Sequence, residues 1–516
     1  MIFLLLLMWG LLPAAAPRLW SPLDADGPQA PSVPQGLRLA ESGTSNQQPI
    51  VSVGSTQTIT LPATANLTGT ATDDGLPTGS TLTRWWSAVS GPGSVAFGNI
   101  YAPSTTASFS IAGTYVLRLT ASDSALSTTA DVTISVVGAA SSCTGVTVQP
   151  TTLDLQALVN AHPEGTIFCL QPGTYRPTSS VLARSGDSFV GQPGVILDGR
   201  STLDRGIYGF GGSTGQSHVT VQGLTLINYT GAAISMGWYW TVSHNELHHN
   251  RIGVTGNSYG MVDGNSIHDN QQYGITGGPA TDLSILNNEV ARNNTAADCG
   301  GACYGDAGGS KIVGSSIGTF NLIWRNNNVH DNTGMGIWSD GNVRATYENN
   351  TVSNNSGVGI FHEISWDAVI RNNTLTNNDS ESIGQSCWHG SQIHVNNSSN
   401  VEIYGNTVTA TNGANGICAV SVDRSETAPH STVVTNLNVH DNVVYMTGSS
   451  TSGMVQDPDS ANRPNAINNR FTNNSYFLPD LTGSWWNWPS ASSSPASWSQ
   501  WQVAGQDTGG TINATK

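Results

Sequence analysis

Residues 327–363 read NNVHDNTGMGIWSDGNVRATYENNTVSNNSGVGIFHE, and the stretch contains one pattern twice. Asn327 and Asn350 open the copies, NNVHDN and NTVSNN. Each block has an apolar residue two positions after its first Asn and ends on another Asn. Gly336-Ile337 and Gly359-Ile360 follow at equal offsets, then Trp338 and Phe361, then Asp340 and Glu363. Outward from here the block recurs as NELHHN, NSIHDN and NEVARN from Asn245, Asn265 and Asn288. It continues as NTLTNN from Asn373, with weaker copies at Asn406, Asn442 and Asn469. The basic step is about 22 residues, and longer steps hold one coil plus an insertion. Short apolar strands parted by Asn and Gly turns at this period describe a β-solenoid, whose repeats bury their apolar faces by stacking. Asn tolerates left-handed backbone, and its amide can hydrogen-bond the coil above or below. Leucine-rich repeats have a similar period but need Leu at several fixed positions, which are missing here. The expected fold is a right-handed parallel β-helix.

The 516-residue chain has room for two or three domains. Only 10% of it is charged, Gly numbers 58, and Asn, Ser and Thr make up the polar bulk, as in secreted all-β proteins. A net charge of −16 argues against nucleic acid and anionic membrane surfaces as partners. The opening MIFLLLLMWGLLPAAAP ends its apolar run at Ala14-Ala15-Ala16. That run has signal-peptide length and falls short of the roughly 20 residues that span a bilayer. Residues 1–16 are therefore expected to direct secretion of an extracellular monomer without a membrane span. Six cysteines in an exported chain imply disulfides. Proximity favours Cys143–Cys169, Cys299–Cys303 and Cys387–Cys418. A metal site at Cys299 and Cys303 is disfavoured, because no matching Cys or His pair lies nearby.

Residues 17–45, rich in Pro, Ser and Gly, read as a linker. Residues 46–138 alternate strand-like runs and turns, as a small β-sandwich does. Their ATDDGLP turn, WWSAVSGPG strand and closing AGTYVLRLTASD resemble the PKD-type and related Ig-like modules. That resemblance implies a spacer or carbohydrate-proximal module. Trp85 and Trp86 within it are core candidates before they are sugar contacts. The solenoid is expected over 143–482, opened by a short capping helix in LDLQALVNAH. The Trp-rich tail at 483–516 is expected to fold back as the other cap.

On a solenoid, residues at equal offset stack about 4.8 Å apart. Asp340 and Glu363 should therefore lie one above the other, with Trp338 over Phe361 and Ser339 over His362. Subtracting a ten-residue insertion puts His394 below Phe361 and Asn396 below Glu363. Stacked like charges need a reason, such as a proton on one of them or a bridging cation. The insertion after Asn288 holds Asp306 and Lys311, and Lys311 is the only lysine besides the terminal Lys516. Lysine can serve as a base where arginine cannot. His248, His268 and His330 share one offset, with Asp269 and Asp331 beside it, and read as a solvated turn.

GTIFCLQPGTYR, DAGGSK, NNNVHDNTGMGIWSD, NSGVGIFHEISWDAVIRNNT and GQDTGGT resemble the secreted bacterial right-handed parallel β-helix repeat proteins, the pectate-lyase-like superfamily. Asp306 stands where that family usually has Glu. The resemblance implies the fold and polysaccharide-directed chemistry. Three functions fit these residues. The first is a polysaccharide lyase acting on a uronate polymer by β-elimination. Lys311 is its base, Asp306, Asp340 and Glu363 hold a cation such as Ca2+, and His362 or Arg371 assists. Trp338, Phe361, Arg371, Trp388 and His394 would line its substrate path. The second is a retaining glycoside hydrolase using Asp340 and Glu363. The third is a non-catalytic glycan-binding surface protein.

Overall fold

The computed structural model describes residues 45–515 apart from 92, 94, 110–111, 139–142, 210–214, 297–306, 315–318, 381–385, 389, 412, 423–432, 457–466 and 490–494. The expected signal peptide, nearly all of the linker, Asp306, Cys299 and Cys303 lie outside the described residues. Among those described, no helix is long and apolar enough to cross a membrane.

The first β unit is two four-stranded sheets. One orders Ile50–Val53, Ala65–Thr72, Ser104–Phe109 and Val95–Phe97; the other orders Gln57–Thr60, Ser127–Val137, Gly113–Ser122 and Thr83–Ser90. Alternation decides the core: Tyr115, Leu117, Leu119 and Ala121 are buried while their neighbours face outward. Trp86 is buried in that core, so it is no sugar platform.

From Val146 the chain winds into three parallel sheets. One coil shows the plan. Thr241–Ser243 lies in the first sheet, Glu246–His248 in the second and Ile252–Gly256 in the third. The next coil repeats it with Met261–Asp263, Ser266–His268 and Tyr273–Gly277, in register. Each corner needs one left-handed residue, here His244, His249 and Tyr259. Asn or Asp fills most equivalent corners, because a short polar side chain tolerates that backbone best.

The repeated asparagines follow those corners and satisfy the buried backbone. The N–H of Asn245 donates to Oδ1 of Asn265, and the relay continues through Asn288, Asn327, Asn350, Asn373, Asn406 and Asn442. Its next member is Asn474, which corrects the sequence register; Asn469 instead accepts from the Leu437 N–H. A second ladder runs from Asn250 to Asn378 and ends on Gln392. The first ends on Asp507, which accepts from Asn474 N–H and Nδ2, Tyr476 Oη and Trp501 Nε1. Converging donors explain an acceptor-only carboxylate here, although burial pushes its pKa up.

Helix α1, Leu155–Asn160, covers the first coils, with Asp154 capping the Ala157 N–H. At the far end Ser484–Asn487 joins the third sheet and Thr511–Ala514 the second, beside α2, Trp498–Val503. Trp485, Trp486, Trp488 and Trp501 are buried in the solenoid core. Cys143–Cys169 and Cys387–Cys418 are bonded.

Candidate functional site

Third-sheet strands Ile337–Asp340 and Ile360–Glu363 lie side by side with Trp338 on Phe361 and Asp340 on Glu363. The next strand, Ser391–Asn396, puts His394 beside Phe361 and Asn396 beside Glu363. Offset arithmetic predicts each of these pairs. Strand alternation then sorts the side chains. Ile337, Ile360 and Ile393 enter the main core, whereas Trp338 and Phe361 form a separate cluster with Met335 and Val358.

Lys311 joins this outer cluster. Its strand, Gly308–Val313, pairs Ile312 with Ser339 and Val313 with Asp340. The ammonium lies 3.4 Å from Asp340 Oδ2 and 3.6 Å from the centroid of the Trp338 ring. The other face of that ring stacks on Phe361 at 5.4 Å, and Phe361 meets His394 edge-on at 5.3 Å. Trp338 Nε1 donates to Glu363 Oε2 at 3.1 Å. His394 Nδ1 is 3.0 Å from Ser391 Oγ, a contact absent from the sequence reading. Cys418 of the Cys387–Cys418 bridge follows His394 in the same column. The stacked acids thus have their compensation: an ammonium on one and an indole N–H on the other. Asp340 is the more accessible, half-buried where Glu363 is buried.

Four expectations change. Trp338 and Phe361 are not an open sugar platform, since Lys311 and their own stacking cover the rings. His362 does not face this site. Alternation turns it into the core, where Nδ1 meets Tyr347 Oη at 3.0 Å and burial pulls its pKa down to about 3. Offset parity carries that signal, because His362 is one residue from both Phe361 and Glu363. Arg371 belongs to the first sheet, on Trp366–Arg371, where it pairs with Glu348 and Tyr404. Arg325 shares that Glu348, and the two arginines outweigh burial to hold its carboxyl below the usual range. Trp388 is 37% exposed and adjoins Cys387 in the chain, with no described contact to the acid pair.

The calcium expectation rests in part on Asp306, which lies outside the described residues. Among the described residues, no group of three or more His, Cys, Asp or Glu is placed to hold a metal ion. Asp340 and Glu363 are engaged with Lys311 and Trp338, whereas Ca2+ takes about 6–8 oxygen ligands. These two carboxylates alone supply only part of such a set.

The histidines of the second sheet are brought together in ion-paired clusters. His248 stacks on His268 at 5.0 Å; His268 Nδ1 is 2.7 Å from Asp269 and Nε2 is 3.5 Å from Glu246. His330 lies 2.6 Å from Asp331 and 3.4 Å from Glu289. Burial lowers both His268 and His330, and their paired carboxylates outweigh it, so both pKa values are raised.

Residues 200–322 and 315–488 match the family model described as right handed beta helix region, which together is more than half of the chain. The chain belongs to the right handed beta helix family. Residues 53–136 match a family model described as a PKD domain. Among solved structures, the A-module of an Azotobacter vinelandii mannuronan C-5 epimerase is similar at 12% identity, covering 73% of this chain and 98% of that one, with TM-score 0.43. An alginate lyase from a Paenibacillus species shares 14% identity over 61% of this chain and 95% of its own, with TM-score 0.30. The catalytic unit of a Streptomyces thermodiastaticus alpha-1,3-glucanase shares 14% over 73% and 86%, with TM-score 0.35. In this right handed beta helix protein the candidate residues Lys311, Trp338, Asp340, Phe361 and Glu363 share a face of the third sheet outside the main core.

Proposed function

We propose that this right handed beta helix protein is a secreted carbohydrate-active enzyme that cleaves a uronate-containing polysaccharide by β-elimination. One observation carries the reading: the sole internal lysine lies 3.4 Å from Asp340, on the column beside the stacked Asp340–Glu363 pair. The hydrophobic N-terminal run supports secretion. With its proton passed to the adjacent Asp340, Lys311 takes the proton α to the uronate carboxylate as a free amine. The electron pair left behind forms the carbon–carbon double bond as the glycosidic oxygen departs from the β carbon. The resulting ammonium returns the proton to that oxygen, and Lys311 is regenerated. Neutralising the uronate falls to Arg344, an exposed guanidinium four residues beyond Asp340.

The direct register of Asp340 on Glu363 favours a second reading, a retaining hydrolase. Adjacent coils set the two carboxylates about 5 Å apart, the spacing of retention. Purified protein incubated with uronate polymers and neutral glucans, with and without chelator, separates the readings. Ultraviolet absorbance rising with reducing ends, both lost in Lys311→Ala, is the expected result. Reducing ends alone would move the chemistry to Asp340 and Glu363. Silence with retained polymer binding would leave a glycan-binding protein.

A further inference from the structure

The corner between the third sheet and the first carries a left-handed residue coil after coil. Later coils place Asp282, Asn321, Asn400 or Asn436 there, residues that suit the conformation. Two successive coils place tyrosine instead, Tyr239 and Tyr259, each at φ 58°, after His218 at φ 60°. A bulky ring in this conformation is strained, and strain persists where something else selects the side chain. Burial is not the selection. Tyr239 and Tyr259 are 44% and 43% exposed, and neighbouring Trp238 is 45% exposed. The rings are nonetheless ordered against one another, His218 on Tyr239 at 4.7 Å and Tyr239 on Tyr259 at 4.4 Å, within 6° of parallel.

The file then turns polar. Asn321 Nδ2 donates to Asp282 Oδ1 at 2.6 Å, and Arg344 Nε donates to Asn321 Oδ1 at 2.7 Å. Three coil steps, about 14 Å, separate Tyr259 from Arg344, which follows Asp340 in the chain. The aromatic file and the acid pair therefore share one edge of the solenoid.

We propose that Trp238, Tyr239 and Tyr259 form a glycan subsite that holds a polysaccharide chain along the solenoid axis and leads it past Asp282, Asn321 and Arg344 towards Lys311 and Asp340. This rests on the polysaccharide reading above and adds where the distant sugars of the chain are held. The width of the file selects the occupant. Stacking covers the ring faces within the row, so the row offers exposed ring edges and phenol hydroxyls, and a single row of such edges matches the hydroxyls of a single-file polymer. A protein partner needs about 800 Å² on each side, more than one row of rings supplies.

The test uses the full chain in a Lys311→Ala background, which leaves any polymer uncut. Affinity electrophoresis is run in gels containing polygalacturonate, alginate or mixed-linkage β-glucan, comparing that protein with Trp238→Ala plus Tyr259→Asn added. Asn at 259 is the residue other coils use, and a melting temperature no lower than the parent's confirms the fold. The expected result is retardation by at least one polymer, with the dissociation constant rising tenfold or more in the added variant. An unchanged constant overturns the subsite, as does free migration of the parent in every gel. Self-association abolished by the same substitutions would also overturn it, by making the patch an interface between copies. Lost retardation in the added variant, with no ultraviolet product from the protein that keeps Lys311 on the same polymers, leaves the subsite standing and removes the elimination reading. Product from the protein that keeps Lys311, with undiminished affinity in the added variant, does the reverse.

Discussion

The second and third sheets place titratable side chains on two faces of one solenoid, with different compensation. On the second, His268 and His330 each lie between two carboxylates, and Arg292 adds a further partner 3.0 Å from Asp269. These charges have local counter-charges, and the arrangement is repeated on separate coils. On the third, two acids are stacked in register, an ammonium pairs with Asp340 and an indole N–H with Glu363, and aromatic rings shield all but the accessible Asp340. One ammonium beside two acids in poorly solvated surroundings is the composition that proton-transfer chemistry uses. A balanced, repeated ion pair is what a stable surface uses. The comparison separates a candidate site from a decorated face more sharply than residue type does, since histidine is the commoner acid–base residue.

The largest expected effect tests that separation. Lys311→Ala should lower kcat/KM by about 10²–10⁴, the usual contribution of a positioned acid–base group. Lys311→Arg should be nearly as poor, because guanidinium keeps its proton. His268→Asn should stay within twofold of the parent. Equal damage from both positions, measured by initial rates on the same polymer, would erase the distinction between the faces.

Next in size is the ladder beneath both faces. Asn350 donates Nδ2 to the Trp324 carbonyl and accepts from the Asn327 N–H. Asn350→Ala leaves those buried groups without partners, at about 1–3 kcal/mol each. Denaturant unfolding should show a loss of that order. A negligible loss would mean that water replaces the amide.

Histidine titration sharpens the comparison further, because its sign reverses from core to surface. His362 has its pKa lowered by burial to about 3. Its contribution to stability is present above the unfolded value near 6.5 and is lost as pH falls towards 3. Stability should fall by about 1–2 kcal/mol between pH 6.5 and pH 5, and His362→Phe should flatten that slope in thermal melts. A slope unchanged by the substitution would show that His362 is not the group responsible. His268 and His330 have raised pKa values. Their contribution is complete below about 6.5 and is lost as pH rises through the raised values. Replacing either by Asn should cost less than about 1 kcal/mol at pH 6 and less still at pH 9.

Much of the site is legible in the chain, and the misses have a common cause. Equal offset predicts vertical neighbours, which is why Asp340 on Glu363 and His394 beside Phe361 follow from counting alone. The same counting does not say which side of the sheet a column faces. It groups His362 with Glu363, although one residue of offset turns a side chain from solvent into core. Charge alone draws Arg371 to the acids, while its place eight residues beyond Glu363 carries it past the corner into another sheet. Composition makes Trp338 and Phe361 a platform, because it does not reveal that ring faces are already covered. The strained tyrosines leave no trace in the repeat, because their corner is visible only once backbone angles are known.

The 22-residue period, the recurring Asn blocks and the alternation of apolar residues determined the solenoid and the vertical pairs, because stacking converts sequence offset into distance. Tertiary structure decided the rest. It set the register across insertions whose length counting cannot resolve, placed Lys311 against Asp340 and Trp338, and carried Arg371 to a different face. Those outcomes depend on where a loop returns to the coil and on which atoms then exclude water, and no local pattern of residues encodes either.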